Sequence, residues 1–116
     1  MLAGCVTPKE PEVGQIDIRV PAMYRHGVGS IIDAPSDYKR YLYNFRNAYW
    51  QCVQNYAENI NYISKPGDYI GNGWPSEVDG YYDGYKAAEK DVRRNIKEFG
   101  KDRTAKYLYK VWQVDD

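Results

Sequence analysis

Between Tyr38 and Ile63 the side chains that avoid water recur every three or four residues: Tyr38, Leu42, Phe45, Tyr49, Cys52, Tyr56, Ile60 and Ile63. That spacing follows the turn of an α-helix and lays one apolar stripe along it, which Tyr41, Ala48 and Val53 widen. Lys39, Arg46, Gln54 and Glu58 fall on the opposite, solvated side. The helix should begin near Ser36, whose hydroxyl can cap the first turn, with Asp37 placed to favour the positive end of the helix dipole. Lys65-Pro66-Gly67-Asp68 stops it, and the loop through Gly71-Asn72-Gly73-Trp74-Pro75 cannot continue it.

A second helix is expected from Ser76, with Asp79 in a capping-box-like position and Val78, Tyr81, Tyr85, Ala88, Val92, Ile96 and Phe99 as its buried face. Gly80, Gly84 and Ala87 or Ala88 are small residues at helical spacing. A glycine inside a helix costs about 1 kcal/mol relative to alanine, so two of them point to close packing, with Tyr49 or Trp50 the expected neighbour. Gly100 is placed to end the helix. A third helix from about Asp102 to Gln113 would turn Ala105, Leu108, Val111 and Trp112 inward. Upstream, residues 15–20 alternate, with Ile16, Ile18 and Val20 on one side and Asp17 and Arg19 on the other, until Pro21 ends the run. The pattern fits a short strand, with Ile31-Ile32 as a brief partner, or an extended arm packed across helices. The fold expected is therefore mainly α: a small three-helix domain with an extended N-terminal arm or short strand.

With 116 residues, 43% hydrophobic and 28% charged, the chain has the makeup of one globular domain. The formal net charge is zero, which argues against a nucleic-acid binder that works by neutralising phosphates. Thirteen Tyr and three Trp supply amphipathic rings suited to wet interfaces. Of the two cysteines, Cys52 sits in a helical stripe, where a free thiol behaves as a small hydrophobe, and a bridge to Cys5 is not expected.

Leu2-Ala3-Gly4-Cys5 resembles the lipobox of bacterial lipoprotein signal peptides. The resemblance implies a diacylglycerol thioether on the Cys5 thiol and removal of the peptide before it, and small residues such as Ala3 and Gly4 fit the peptidase. The basic and apolar segments of a full signal are not in the sequence, so residues 1–5 read as a signal-peptide remnant with its lipidation site. Val6-Thr7-Pro8-Lys9-Glu10-Pro11-Glu12 mixes Pro with charge and lacks apolar periodicity. Residues 6–14 are accordingly expected to be a flexible, solvated tether that holds the domain, residues 15–116, off the bilayer. Val6 in place of Asp after the cysteine implies sorting to the outer membrane in bacteria of the enteric type. No stretch approaches the roughly 18 apolar residues of a spanning helix, leaving acyl chains as the anchor.

Residues able to carry chemistry are sparse. His26 is the one histidine, in a Gly-rich stretch far from Cys52, and is read as structural or solvated. Asp79 and Asp83 form a lone i, i+4 carboxylate pair, read as acids in the first turns of a helix, and no metal-ligand spacing is present. No catalytic set, metal or cofactor is expected. Between Lys86 and Lys110 nine basic residues stand against four acidic ones. Lys86, Lys90, Arg94, Lys97 and Lys101 line one side at helical spacing, with a Glu89–Arg93 pair diluting the field. Such a strip can be the wet face of a helix, or it can attract anionic headgroups or an acidic protein. Tyr69 and Trp74, in a Gly-rich loop, could stack on a sugar ring, which makes a glycan- or peptidoglycan-binding module the alternative reading.

Gly80-Tyr81-Tyr82-Asp83-Gly84-Tyr85, followed by a basic helix ending at Phe99-Gly100-Lys101, resembles the small entry-exclusion lipoproteins encoded on bacterial plasmids, over about residues 76–110. The resemblance implies an envelope protein that modulates uptake by contacting another envelope protein, and it brings no catalytic residue.

Overall fold

The computed structural model describes residues 9–14, 18–25, 34–63 and 73–112. Three long helices make the body: α2 (Ala34–Glu58), α3 (Pro75–Phe99) and α4 (Lys101–Trp112), preceded by a single turn, α1 (Ala22–Arg25). Among the described residues there is no strand. Residues 18–20 keep the predicted alternation, Val20 buried, Arg19 exposed and Ile18 half-buried, but as an extended arm laid on helices. Residues 15–17 and Ile31-Ile32 lie outside the described residues.

The direction of α3 follows from its contacts with α2. Ser76 Oγ donates to Asp37 Oδ1 at 3.1 Å, Tyr41 Oη to Asp83 Oδ2 at 2.6 Å and Tyr49 Oη to Asp91 Oδ2 at 2.5 Å. Numbers rise together on both helices, so α2 and α3 lie side by side and parallel. Each of the two helices has 25 residues, a length of about 37 Å at ~1.5 Å per residue. α4 runs back the other way: Lys101 Nζ donates to Asn61 Oδ1 at 2.8 Å just past the end of α2, and Trp112 reaches Trp50 with ring centres 6.3 Å apart. α4 thus covers the C-terminal half of the helix pair. α1 covers the other half, with Tyr24 stacked on Tyr41 at 5.6 Å and its hydroxyl bonded to Asp79.

Close approach of α2 and α3 depends on the two helical glycines. A Cβ on Gly80 would sit 2.5 Å from the Tyr41 carbonyl oxygen, and one on Gly84 would run into the Phe45 carbonyl and the Ala48 methyl. The groove is filled by the backbone of α2 at Tyr41 and Phe45 and not by Tyr49 or Trp50, the expected neighbours. The buried face of α3 is correspondingly turned from the expected one. Ser76, Gly80, Gly84, Tyr85, Ala88, Asp91, Val92 and Asn95 are buried, while Val78, Tyr81, Ile96 and Phe99 are only half-buried. The contact prefers small and hydrogen-bonding residues because the backbones nearly touch and α2 presents tyrosine hydroxyls there.

Several end positions also differ from expectation. Tyr38 and Ile63 are 42% and 68% exposed, since α2 stops at Glu58 and its inner side is set by Tyr41, Phe45, Ala48, Tyr49, Cys52, Val53 and Tyr56. Ser76 is the second residue of α3, behind Pro75, and bonds Asp37 instead of capping; Trp74 is the cap residue and makes no side-chain cap bond. Gly100 ends α3 as expected, with φ 86° and its N–H on the Ile96 carbonyl. In α4 the inner side is Thr104 and Leu108, and Val111 is exposed. Cys52 is fully buried with a free thiol.

Tyr24, Tyr41 and Tyr49 each have their hydroxyl pKa raised, first by burial and then by the hydrogen bond to an aspartate. Burial also pushes Tyr85 up to about 12. An unfolded chain releases these protons near pH ~10 while the folded one keeps them, so stability is intact below that pH and is lost as pH rises through the raised values. The urea midpoint should be flat across neutral pH and fall steadily above pH ~10, less steeply in Tyr49→Phe. A second expectation concerns the helix contact: Gly84→Ala should lower unfolding stability by at least ~1–3 kcal/mol in urea titration, because backbone must move to admit the methyl.

Candidate interaction surface

The parallel pair sets up the charge pattern. Both helix N-termini lie at one end, where Asp37 in α2 and Glu77 in α3 face the positive dipole ends. Both C-termini lie at the other. α2 has no basic residue in its last turn, and α3 has Lys97. The cations that gather beside the end of α2 come from its neighbours: Arg93, Lys97 and Lys101, with Tyr56, Ile60, Asn61, Tyr62 and Ile96, line an open cleft of about 370 Å³. Its aromatic wall is Tyr56 edge-on to Tyr62, ring centres 5.3 Å apart. Arg93 is ion-paired with Glu89 at 3.4 Å, as the i, i+4 spacing predicts, and borders the cleft beside Tyr56. Lys101 is held by Asn61. The cleft therefore combines three positive side chains with an apolar aromatic wall, a combination that fits an anionic group carried on an apolar body.

The predicted strip does not act as one patch. Lys86, Lys90, Arg94, Lys97 and Lys101 are all exposed, but Lys97 and Lys101 border the cleft, whereas Arg94 turns to the other side. There it pairs with Asp91 at 3.5 Å and reaches the Glu12 carbonyl at 3.5 Å.

Glu12 belongs to the segment expected to be a free tether. Pro11 and Val13 are instead buried, and residues 12–14 lie in the seam between α3 and α4. Asn95 Nδ2 donates to the Glu12 carbonyl at 2.9 Å, and the Glu12 N–H donates to Asn95 Oδ1 at 3.3 Å. The Val13 N–H donates to Tyr107 Oη at 3.2 Å, and the Gly14 N–H to Tyr49 Oη at 2.7 Å. Gly14 has φ 86°, and a Cβ there would lie 3.0 Å from the Trp50 ring, so position 14 needs glycine on both counts. Lys9, farther along, pairs with Glu98 at 3.2 Å. Residues 11–14 are a strap on the domain, because buried side-chain amide and hydroxyl groups satisfy their backbone where a second strand would otherwise be needed.

Of the other candidates, Cys5, His26 and Tyr69 lie outside the described residues. Trp74 is 43% exposed, and the Arg40 guanidinium sits 4.4 Å from its ring centre, occupying one of the faces a sugar would use. Asp79 and Asp83 accept hydrogen bonds from Tyr24 and Tyr41, a structural use. Among the described residues no cluster of His, Cys, Asp or Glu could hold a metal, and no helix is long and apolar enough to cross a membrane. Sequence reasoning missed Asn95, Asp91 and Tyr24. Polar residues at stripe positions of a helix were the available signal for the first two.

Fold and surface together define a small helical domain with a bound N-terminal strap and a cationic end. Comparisons with known proteins find no match among family models, curated proteins or solved structures.

Asn95→Leu keeps the bulk and removes both bonds to Glu12. It should cost ~1–3 kcal/mol in urea unfolding and speed amide exchange at Val13 and Gly14 well before the helices exchange. Unchanged protection there would mean the strap is held by packing alone.

Proposed function

We propose that this chain is a lipid-anchored interaction protein of the bacterial envelope, attached through Cys5 and contacting another envelope protein, with entry exclusion as its specific form. The observation that carries the reading is the Leu2-Ala3-Gly4-Cys5 run. Support for an interaction role comes from the cleft of Tyr56, Tyr62, Arg93, Lys97 and Lys101, whose charge and aromatic wall suit an acidic segment of the partner. The basic residues Lys86 and Lys90 extend that field along α3. A glycan-binding role through Tyr69 and Trp74 gains no such support, since Arg40 already covers part of Trp74.

Expression of the full precursor in a bacterial host, with a Cys5→Ser variant beside it, gives the test. Intact mass should show a lipid-sized increase and fractionation should place the protein in the outer membrane, both lost in the variant. A Lys97→Glu/Lys101→Glu variant should stay in the membrane yet lose its crosslinked envelope partner and any block on DNA or phage uptake. An unmodified protein in the soluble fraction would refute the anchor. An unchanged crosslinking pattern in the charge-reversed variant would refute the cleft as the contact.

A further inference from the structure

From Glu10 to Gly14 the strap alternates along its length: Pro11 and Val13 are buried, Glu10, Glu12 and Gly14 exposed. An extended peptide reads this way when one of its faces is bound and the other meets water. No strand lies beside it among the described residues, and side chains from three helices read its backbone instead. Asn95 of α3, 1% exposed, takes both polar groups of one residue: Nδ2 donates to the Glu12 carbonyl at 2.9 Å and Oδ1 accepts the Glu12 N–H at 3.3 Å. Arg94 reaches the same carbonyl at 3.5 Å. Tyr107 Oη of α4 accepts the Val13 N–H at 3.2 Å, and Tyr49 Oη of α2 accepts the Gly14 N–H at 2.7 Å. None of these bonds uses a strap side chain, so the polar part of the contact selects an extended backbone and not a sequence. Selectivity comes from the sockets that bury Pro11 and Val13 and from position 14, where φ 86° and the Trp50 ring admit only glycine.

The groove does not depend on its occupant. Tyr41 with Asp83, Tyr49 with Asp91 and the backbone approach at Gly80 and Gly84 join α2 to α3 without the strap. Water could meet Asn95 and Tyr107 in an opened groove. The strap's own hold is thin, since Lys9 and Glu98 pair through side chains 64% and 38% exposed, and such pairs contribute little. Ahead of Pro11 the groove continues into an open cleft of about 240 Å³, where Glu10 shares the lining with Arg103, Lys106 and Tyr107. An acid before the proline is therefore favoured, and the cleft leaves room for more than Glu10 fills.

We propose that this groove is a peptide-binding site which the strap occupies in cis, and that its ligand is an extended segment of a partner protein with an acid, Pro, any residue, Val and Gly in succession. Main-chain hydrogen bonds combined with sockets for alternate side chains are a general mode of peptide recognition. The attached strap competes at an effective concentration on the order of millimolar, so a ligand must add contacts to displace it, and the cleft beside Arg103 and Lys106 offers them. The strap of a second copy brings no added contact and loses that competition. The site lies on the other side of α3 from the cleft at Lys97 and is independent of any lipid on Cys5.

Two full-chain variants empty the groove without altering its walls: Gly14→Ala, which strains the backbone against Trp50, and Val13→Asp, which puts a charge in a buried socket. Fluorescence anisotropy of a labelled peptide with the sequence of residues 9–14 reads binding, and circular dichroism with urea unfolding reads whether each variant keeps its helices. Both variants should bind the peptide about tenfold or more tightly than the unaltered chain, whose strap competes. A peptide with Ala in place of its Gly should bind about tenfold more weakly. Tyr107→Phe, added to the Gly14→Ala chain, should weaken binding about fivefold, as loss of one hydrogen bond does. No binding to either variant while both stay helical and unfold cooperatively would overturn the site, as would equal binding of the Gly and Ala peptides. Loss of the helices in both variants would overturn it too, because the groove would then not exist without its strap. A dimer of the unaltered chain in light scattering that disappears in Gly14→Ala would give the groove to a second copy and overturn the partner as its occupant.

Discussion

The Tyr49 hydroxyl is the point at which three parts of the chain meet. It donates to Asp91 on α3 and accepts the Gly14 N–H of the strap, so one side chain of α2 fixes both neighbours. An anionic acceptor strengthens the donor side of such a chain, and burial makes an unmade bond costly, so the three groups hold or fail together. Tyr41 with Asp83 and Tyr24 with Asp79 repeat the same pairing toward the other end of the helices. The Tyr41 and Tyr49 bonds hold α2 and α3 parallel and in register, and the Tyr24 bond ties α1 to α3. The close backbone approach at Gly80 and Gly84 is then possible, and shape and polarity act on the same contact.

Parallel packing has an electrostatic consequence that antiparallel packing would not. Two helix N-termini gather acids at one end of the molecule, and two C-termini gather cations at the other. Some of the positive charge beside Glu58 therefore offsets carbonyl dipoles as well as serving any ligand, and Arg93 is further tied by Glu89. Lys97 and Lys101 stand at the rim of that cleft, which makes them the better placed cations for a partner. The strap enters from the same end at Lys9 and Glu98. Strap and cleft are thus both drawn toward the C-terminal half of the helix pair by one choice of helix direction.

Much of the architecture was legible in the sequence because it depends on period and punctuation. The stripe from Leu42 to Tyr56, the stop after Phe99 at Gly100 and the short last helix around Leu108 follow from spacing alone. The register of α3 was not legible. Hydrophobic periodicity assigned Val78, Ile96 and Phe99 to the core, whereas the contact that decides register is polar and small, made by Ser76, Gly80, Gly84, Asp91 and Asn95. The strap was missed for a related reason. Pro11 and Val13 look solvated among charges, and only the remote Asn95, Tyr107 and Tyr49 make their burial possible. Tyr24 was not legible because a single helical turn leaves no period to detect. The candidate surface was half legible: the cations were found, but their division between cleft and strap side depends on which helix lies beside each.

The claim on which the rest turns is the parallel alignment of α2 and α3, and a spin-label distance tests it directly. Labels placed at Lys39, early in α2, and at Lys97, late in α3, in a chain with Cys5 replaced by Ser and Cys52 by Ala, should lie about 30 Å apart, since some twenty residues of helix rise separate their levels. A distance near 10–15 Å, as antiparallel neighbours would give at ordinary helix packing, would contradict it. That result would dissolve the shared cationic end and the strap seam together.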